Sequence, residues 1–296
     1  MTIDKTAVEN IGERAVYLVV EWSLLGSWRG CQTVDTSDDV RARKCIIRSE
    51  ASAGMTTLRN SVKAFLNKYS HSTVHRAGVY TVPLTLVPAV EETLQDAFAR
   101  IEEIRQELRD EWPKIIEDAR ERLGDLFDER DYNSPEWAAQ ELGMTYNYMA
   151  ISHTPDILKQ VAAETYHADR ERSKNQTEME LEAFKSDLRS TLLQLVRNMR
   201  RTLTKPDGEK RRFGKTFFKN INEFMETFEA MNLSRDVAMQ GVVESLQKVA
   251  QGYDDHEALK SSEELQGALN AELVTIDQSL QEMVDDGRKM DLSMAS

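Results

Sequence analysis

The sequence contains few of the residues that build disulfide-bonded or β-rich proteins. Its 296 residues include two cysteines, six prolines and 13 glycines, and 7% are aromatic. The two cysteines, Cys31 and Cys45, form no recognisable pattern, which predicts free thiols in a cytoplasmic protein rather than a disulfide. Little glycine and proline, together with 30% charged residues, is typical of long solvated helices and argues against disorder and an all-β fold.

Long hydrophobic runs are also missing. The most apolar stretch, 15–25, contains Glu21, is too short to span a bilayer, and lacks the basic segment and cleavage site of a signal peptide. We therefore expect a protein of the cytoplasm, or of the host cell cytoplasm if it is phage-encoded, with no membrane contact.

What the chain does have is size and negative charge. A chain of this length forms one large domain or two ordinary ones, and it can bury about 75% of its unfolded surface without disulfides or a structural metal. The formal net charge is −13. This acidic balance argues against wholesale wrapping of nucleic acid, although it leaves room for one local contact.

The chain is organised around residues 179–219. Apolar residues recur there at helical spacing and predict one buried helix face: Leu181, Phe184, Leu188, Leu192, Leu195, Met199 and Leu203. The second half of the stretch is the one basic segment that we identify from the sequence, with a net +7 that leaves −20 for the rest of the chain. Its cations are Arg197, Arg200, Arg201, Lys205, Lys210, Arg211, Arg212, Lys215 and Lys219.

The N-terminal third predicts a small β element. Residues 15–25 are rich in β-branched and aromatic side chains and indicate a strand, with a turn at 26–30 and a second short strand at 32–34. Residues 35–54 are ambiguous and include at most a short helix. A helix follows at 55–69, and 78–87 indicates an edge strand because of Pro83.

Two long helices are predicted next. The first covers 88–124, with an apolar face, an acidic outer face, and Pro113 as a point where it kinks or splits. The second runs from 156 to 203 with a solvated middle at 167–178, and its apolar stripe is expected to pack on the first, around 90–123. Between them Ser134 caps a short helix, and 144–152 is either strand or loop.

The C-terminal part predicts a turn at 205–208 and three amphipathic helices. These are expected at 213–231, from a cap at Ser234 to 250, and over 262–290. The fold class is therefore mainly α, a long antiparallel helical hairpin or coiled-coil bundle with a small β element in the N-terminal third. We divide it into 1–87 (mixed α/β), 88–252 (long-helix bundle) and 253–296 (acidic C-terminal helix).

Three short motifs suggest chemistry, and each has a simpler interpretation. Gly214-Lys215-Thr216 lacks the loop length and the preceding strand of a phosphate-binding loop, so it indicates a helix start. Glu164 and His167 have the spacing of one di-iron ligand pair, but no second pair exists. His71 and His75 lack the partners of a zinc site. We therefore predict no enzyme activity, no cofactor and no metal.

The basic segment has two functional interpretations. It can pair with acidic helices, on this chain or on a protein partner, and the −20 of the remaining chain favours this. Alternatively it contacts nucleic-acid phosphates, with Phe213, Phe217 and Phe218 as stacking side chains among the cations.

Several stretches together resemble an uncharacterised family of bacterial, plasmid and phage proteins, a domain of unknown function. The resemblance covers most of residues 15–252 but not the acidic C-terminal helix. It rests on Leu24-Leu25-Gly26-Ser27-Trp28-Arg29, on Gly78-Val79-Tyr80-Thr81-Val82-Pro83, on the long helix after Pro88, and on Arg200-Arg201-Thr202-Leu203 before a basic turn.

Genes of that family often lie near those of MoxR-type AAA+ ATPases and von Willebrand A-domain proteins. The resemblance therefore implies a non-enzymatic adaptor of a phage or mobile element, accessory to an ATPase system, with a protein partner or self-association. It supplies no catalytic residues. The alternative is a nucleic-acid-associated accessory protein that uses the basic segment at 197–219.

Overall fold

The computed structural model describes residues 5–31, 42–73, 76–151, 157–203, 217–253 and 255–294. Within them the chain forms ten α-helices and six strands, so the predicted mainly α fold is confirmed. The helices are α1 (Lys5–Glu9), α2 (Glu50–Tyr69), α3 (Val87–Leu123), α4 (Pro135–Glu141), α5 (Ile157–Val161), α6 (Ala163–Leu203), α7 (Lys219–Met231), α8 (Val237–Gly252), α9 (His256–Ser261) and α10 (Glu263–Met294). The strands are β1 (Ala15–Ser23), β2 (Trp28–Cys31), β3 (Ala42–Cys45), β4 (His71–Ser72), β5 (Val79–Pro83) and β6 (Gly143–Ala150).

The chain forms two compact units. The sheet unit is Val16–Met149, and the helical unit joins Met1–Ala15 to Ala150–Ser296. These units cut across the three regions predicted from the sequence, because α3 packs with the N-terminal elements while α10 packs with α6.

The sheet unit is built on a four-stranded sheet in the order β4-β5-β1-β6. The buried faces of α2 and α3 share one apolar core with β1 and β5, in which Leu18, Met55, Val82 and Leu108 are almost fully buried. The β element is thus larger than predicted, because β6 joins it from the middle of the chain. A long-range pairing of this kind cannot be read from local periodicity.

A separate two-stranded ribbon precedes α2. Strands β2 and β3 pair antiparallel, with Trp28 opposite Cys45 and Gly30 opposite Arg43. The turn predicted at 26–30 is therefore partly strand, and so are residues 42–45. The strand predicted at 32–34 lies outside the described residues. Both cysteines of the ribbon are free, as predicted.

Helix α2 begins five residues earlier than predicted. The Ser49 side chain accepts a hydrogen bond from the Ser52 backbone N–H at 3.2 Å, which satisfies a donor of the first turn. This cap was visible in the sequence as Ser49 followed by Glu50. The helix is consequently 20 residues long and presents a long outer face.

Helix α3 is one continuous helix through Pro113, so the predicted split does not occur. The residues on its inner face stay buried on both sides of the proline, and this packing holds the helix together despite the missing backbone donor. They include Leu108, Trp112, Ile115 and Ala119. At 37 residues α3 is about 55 Å long.

Helix α3 and strand β6 are joined by a carboxylate. Glu91 accepts hydrogen bonds from the Tyr146 hydroxyl at 2.6 Å and from the Gln95 amide at 2.8 Å. These two donors, Tyr146 first, hold the pKa of Glu91 below its ordinary value of 4.5. The bonds favour the charged carboxylate, so they are strongest when Glu91 is ionised.

We expect this contact to make stability depend on pH. A lowered folded-state pKa stabilises the fold above the ordinary pKa, and the stabilisation disappears as the pH falls through the folded value. The difference in the free energy of unfolding between the wild type and Glu91→Gln should therefore be present at pH 6 and shrink below about pH 4.5. Urea unfolding followed by tryptophan fluorescence measures it, and a difference that stays constant down to pH 3 would contradict the assignment.

The helical unit packs around α6 and α10. Leu192, Val196 and Met199 of α6 share a core with Leu269 and Leu273 of α10. A second small cluster surrounds Leu181 and Phe184 of α6 with apolar residues of the N-terminal segment and Leu233. The prediction that the 181–203 stripe packs on the helix around 90–123 is wrong: both stripes are real, but each is buried within its own unit.

The solvated middle of α6 is confirmed. The helix is continuous from Ala163 to Leu203, and in its first 14 residues Tyr166 alone is buried. The long helix begins at Ala163 rather than at the predicted residue 156. The short helix α5 lies before it. Helix α6 is about 60 Å long, and its core contacts lie mainly in its C-terminal half.

The junction of α7 and α8 is a buried polar loop. Asp236, not Ser234, caps α8: its carboxylate accepts from the Met239 N–H at 3.3 Å and from the Arg189 guanidinium at 2.7 Å. Ser234 instead donates to the Asn232 side chain. Both charged partners, Arg189 and Asp236, are buried in the helical unit. The sequence pattern did not indicate this pair, because its two residues are 47 positions apart. It links α6 to the start of α8.

Candidate functional site

The predicted basic segment begins on the last turns of α6, where its first cations are already paired. Arg197 Nε lies 3.1 Å from Asp277 Oδ1, and Arg200 donates to the other oxygen of the same carboxylate. Arg197 also donates to the Gln281 side-chain oxygen at 2.5 Å. Asp277 is buried on α10, so the acidic C-terminal helix neutralises this part of the segment.

The rest of the segment is only partly described. Lys219, at the start of α7, lies 3.8 Å from Glu223, and Arg201 is exposed. The remaining five predicted contacts lie outside the described residues: Lys205, Lys210, Arg211, Arg212 and Lys215. A role of the nine cations in binding a partner or nucleic acid stays a prediction.

A second basic stretch, which the sequence analysis missed, lies in the sheet unit. Between residues 41 and 76 there are eight Lys or Arg and one acid, Glu50, and no further acid occurs before Glu91. This net +7 equals that of 197–219. Counting acids along the chain would have found it, because its cations are spread out rather than adjacent.

Two exposed cations of this stretch lie on the ribbon and on the link to α2, and a third cation lies on the paired strand β2. Arg29 on β2, Arg43 on β3 and Arg48 in the link are all exposed. Within the described part of the chain, none of the three takes part in an ion pair. Their exposure makes them candidates for contact with an external anion.

The ribbon is fixed at its base. Lys44 Nζ lies 2.6 Å from the Asp131 carboxylate and donates to the Leu126 carbonyl at 2.7 Å. Arg122 donates to the Cys45 carbonyl, and the Tyr132 hydroxyl donates to the Ile46 carbonyl. Among the cations of the described part of the ribbon, these contacts use Lys44 for anchoring, and they hold the ribbon that carries the exposed cations.

The outer face of α2 continues the same chemistry. From Ser52 to Lys68 it carries cations, hydroxyls and amides, and no acid. Arg59 and Lys63 are one helical turn apart, and neither forms an ion pair among the described residues. The uncharged members of the face are Ser52, Ala53, Thr56, Thr57, Asn60, Ser61, Ala64 and Asn67.

We refer to these groups together as the cationic surface: Arg29, Arg43 and Arg48, with the outer face of α2 from Ser52 to Lys68. On the ribbon, Arg43, opposite Gly30, lies on one face, and Arg29, opposite Lys44, lies on the other. Arginine, lysine, serine, threonine and asparagine side chains are the groups that hydrogen-bond phosphate oxygens in nucleic-acid complexes. A carboxylate among them would repel a phosphate, and the α2 part of the surface has none. The surface is thus suited to a polyanion.

Within the described residues, the other motifs singled out from the sequence are not brought together as a site. Gly214-Lys215-Thr216 and His75 lie outside the described residues. Glu164 and His167 are exposed on α6, and His71 is buried in β4 rather than placed on a helix face. In the parts of the chain that the structure describes, no three His, Cys, Asp or Glu side chains come together as a metal would require.

An open cleft of about 450 Å³ lies between α8 and α10. Its polar lining includes Lys248, Tyr253 and Glu272. The Tyr253 hydroxyl donates to Glu272 at 3.0 Å, and burial followed by this bond raises the pKa of Tyr253. The carboxylate of the cleft is therefore already engaged, and we assign the cleft no role.

Comparisons with protein-family models, curated proteins and solved structures find no match to this chain. The resemblance to the phage and plasmid family therefore stays a prediction. Among the helices that the structure describes, none combines the length and the apolar composition needed to cross a membrane.

Proposed function

We propose that this protein is a non-enzymatic accessory protein that binds nucleic acid through the cationic surface of its sheet unit. One observation carries the proposal: the ribbon, the link and α2 present cations that form no ion pair among the described residues, and the outer face of α2 carries no acid from Ser52 to Lys68. These cations are Arg29, Arg43, Arg48, Arg59 and Lys63. The proposal moves the contact away from 197–219, where Arg197 and Arg200 are occupied by Asp277.

The net charge of −13 does not oppose local binding. At physiological ionic strength, charges more than about 8 Å apart are largely screened, so a phosphate on the cationic surface interacts mainly with that surface. The acids of the remaining chain confine the contact to these cations, which fits an accessory protein rather than one that wraps nucleic acid. The proposed setting is the cytoplasm.

Neutralising two cations of the surface should weaken the dependence of binding on salt. Each phosphate contact on a single strand contributes about −0.7 to the slope of log K against log salt concentration. We expect Arg59→Gln/Lys63→Gln to reduce that slope by about 1.4 and to lower the affinity most at low salt. Fluorescence anisotropy of a labelled oligonucleotide, measured at salt concentrations from about 50 to 200 mM, gives both the slope and the affinity.

A matched control is available in the first basic stretch. Arg211→Gln/Arg212→Gln changes the net charge by the same amount, and it should leave the slope unchanged. If the slope of log K against log salt concentration falls in this control and not in Arg59→Gln/Lys63→Gln, the contact lies at 197–219, as the sequence predicted. If the wild-type protein shows no salt-dependent binding even at low salt, the proposed function is wrong.

A protein-binding adaptor is the second candidate. The outer face of α3 supports it, because exposed acids such as Asp110 and Glu117, which form no ion pair among the described residues, line this long helix and suit a basic partner. The partner that the family resemblance implies is a MoxR-type ATPase. Co-elution of the two purified proteins on size exclusion, lost in Asp110→Lys/Glu117→Lys, would support an adaptor, and separate elution at micromolar concentrations would count against it.

A further inference from the structure

One face of the ribbon combines an aromatic ring, an open backbone and a cation. Neighbouring residues of a strand point to opposite faces, and cross-strand partners share a face. Trp28 and Gly30 of β2 therefore lie on the same face as Cys45 and Arg43, their partners on β3. Trp28 and Arg43 are diagonal neighbours, about 7–8 Å apart in such a pair.

Trp28 contributes little to the core for a residue of its size. It is 53% exposed, whereas Trp112 of the same unit is almost fully buried. A tryptophan left in solvent on a rigid element, beside cations, is typical of a stacking contact for a planar ligand. Among the described residues of the ribbon, the other exposed ones are Arg29, Gly30 and Arg43, and none of these is a large apolar side chain that would extend the patch.

Gly30 leaves the space between the ring and the cation open. A side chain added there would meet no atom within 4 Å, so the fold does not require glycine for packing. The absence of a side chain allows a flat ligand to approach Trp28 closely, and Arg43 opposite Gly30 can reach an anionic group beside it.

We propose that this face binds single-stranded nucleic acid, with one base stacked on Trp28 and a neighbouring phosphate on Arg43. The inference rests on the proposed function and names its ligand more closely. A duplex keeps its bases stacked on one another and offers only phosphates to the surface, whereas a single strand also offers base faces to an exposed aromatic ring. Single strands should therefore bind more tightly than a duplex of equal length.

The test compares three labelled ligands of 20 nucleotides: a thymidine single strand, a duplex, and a single strand of abasic sites. Stacking on an aromatic side chain is worth about 1–3 kcal/mol per base, which corresponds to a loss of about 5- to 150-fold. We expect Trp28→Ala to lose about tenfold or more on the thymidine strand and nothing on the abasic strand or the duplex. Trp28→Phe should restore most of the affinity.

A second variant tests the same face without removing the ring. Gly30→Val places a branched side chain, which suits a strand, between Trp28 and Arg43. It should weaken binding of the thymidine strand while circular dichroism stays unchanged. In the wild type, binding should also quench tryptophan fluorescence, and Trp28→Phe should abolish that quenching while binding persists.

The outcomes separate the two proposals. Salt-dependent binding of all three ligands that is equal in the wild type and Trp28→Ala would overturn the stacking inference and leave the proposed function standing. If the wild-type protein binds none of the three ligands, both the stacking inference and the proposed function are overturned. Loss of binding to the thymidine strand alone in Trp28→Ala, restored by Trp28→Phe, supports the inference.

Discussion

Replacing Arg189 by alanine should lower the free energy of unfolding by about 3–5 kcal/mol, the largest effect we expect from a single charged residue. Its side chain is 8% exposed and that of Asp236 is 5% exposed. Arg189 also donates to the Met283 carbonyl at 2.9 Å, so one guanidinium joins α6 to the start of α8 and to α10. Removing it leaves the Asp236 carboxylate buried without a counter-charge.

The matched control is Arg172→Ala on the same helix. Arg172 pairs with Asp169 at 3.2 Å, but its side chain is 71% exposed, so its loss should cost at most about 1 kcal/mol. Urea unfolding followed by far-UV circular dichroism measures both variants. Tryptophan fluorescence is the wrong probe, because Trp22, Trp28, Trp112 and Trp137 all lie in the sheet unit.

A double-variant cycle tests whether the effect belongs to the pair. Asp236→Ala should also lower the free energy of unfolding, because it leaves the buried Arg189 without its counter-charge and removes the cap of α8. The double variant Arg189→Ala/Asp236→Ala should cost less than the sum of the single variants, since no buried charge is then left alone. Equal costs for Arg189→Ala and Arg172→Ala would show that the pair is not buried in solution.

Leu273→Ala should lower the free energy of unfolding by about 2–5 kcal/mol, because it removes buried apolar contacts. Leu273 of α10 is fully buried in the core that α10 shares with α6. Truncation loses the transfer free energy of the removed methyl groups and leaves a cavity that a close-packed helix pair fills only in part.

Leu265 provides the control, two helical turns earlier on α10. It is 38% exposed, so Leu265→Ala should change the free energy of unfolding by less than about 1 kcal/mol. The comparison tests the partner of the α6 stripe directly. If both leucine variants are equally mild, α10 is not a core helix, and the stripe must be buried by another element.

Periodic patterns in the sequence were sufficient to predict most helices. The stripe from Leu181 to Leu203, the inner face of α3 and the Ser134 cap all appear where their side chains predict them. These features depend on residues three or four positions apart, so the information is local. Helix boundaries were predicted less accurately: α2 starts at Glu50, because Ser49 caps it, whereas the sequence pattern placed the start at residue 55.

The candidate site was predictable in part. The basic residues at 197–219 are conspicuous because they are adjacent, and the structure then shows two of them held by Asp277, 77 to 80 residues away in sequence. The cationic surface was overlooked because its charges are spaced along a ribbon and a helix. Its lack of acids is a property of the sequence, but only the structure shows which of its cations are exposed and that Arg59 and Lys63 share the outer face of α2.

The sequence by itself therefore determined the mainly α class, the apolar helix faces and the two basic stretches, since each depends on composition or local spacing. Tertiary structure alone decided which faces meet: α6 with α10, α3 with α2 and the sheet, Arg189 with Asp236, and the Arg197 and Arg200 pair with Asp277. The physical reason is that an apolar stripe or a lone charge specifies burial or pairing but not its partner, which is selected by how the whole chain packs.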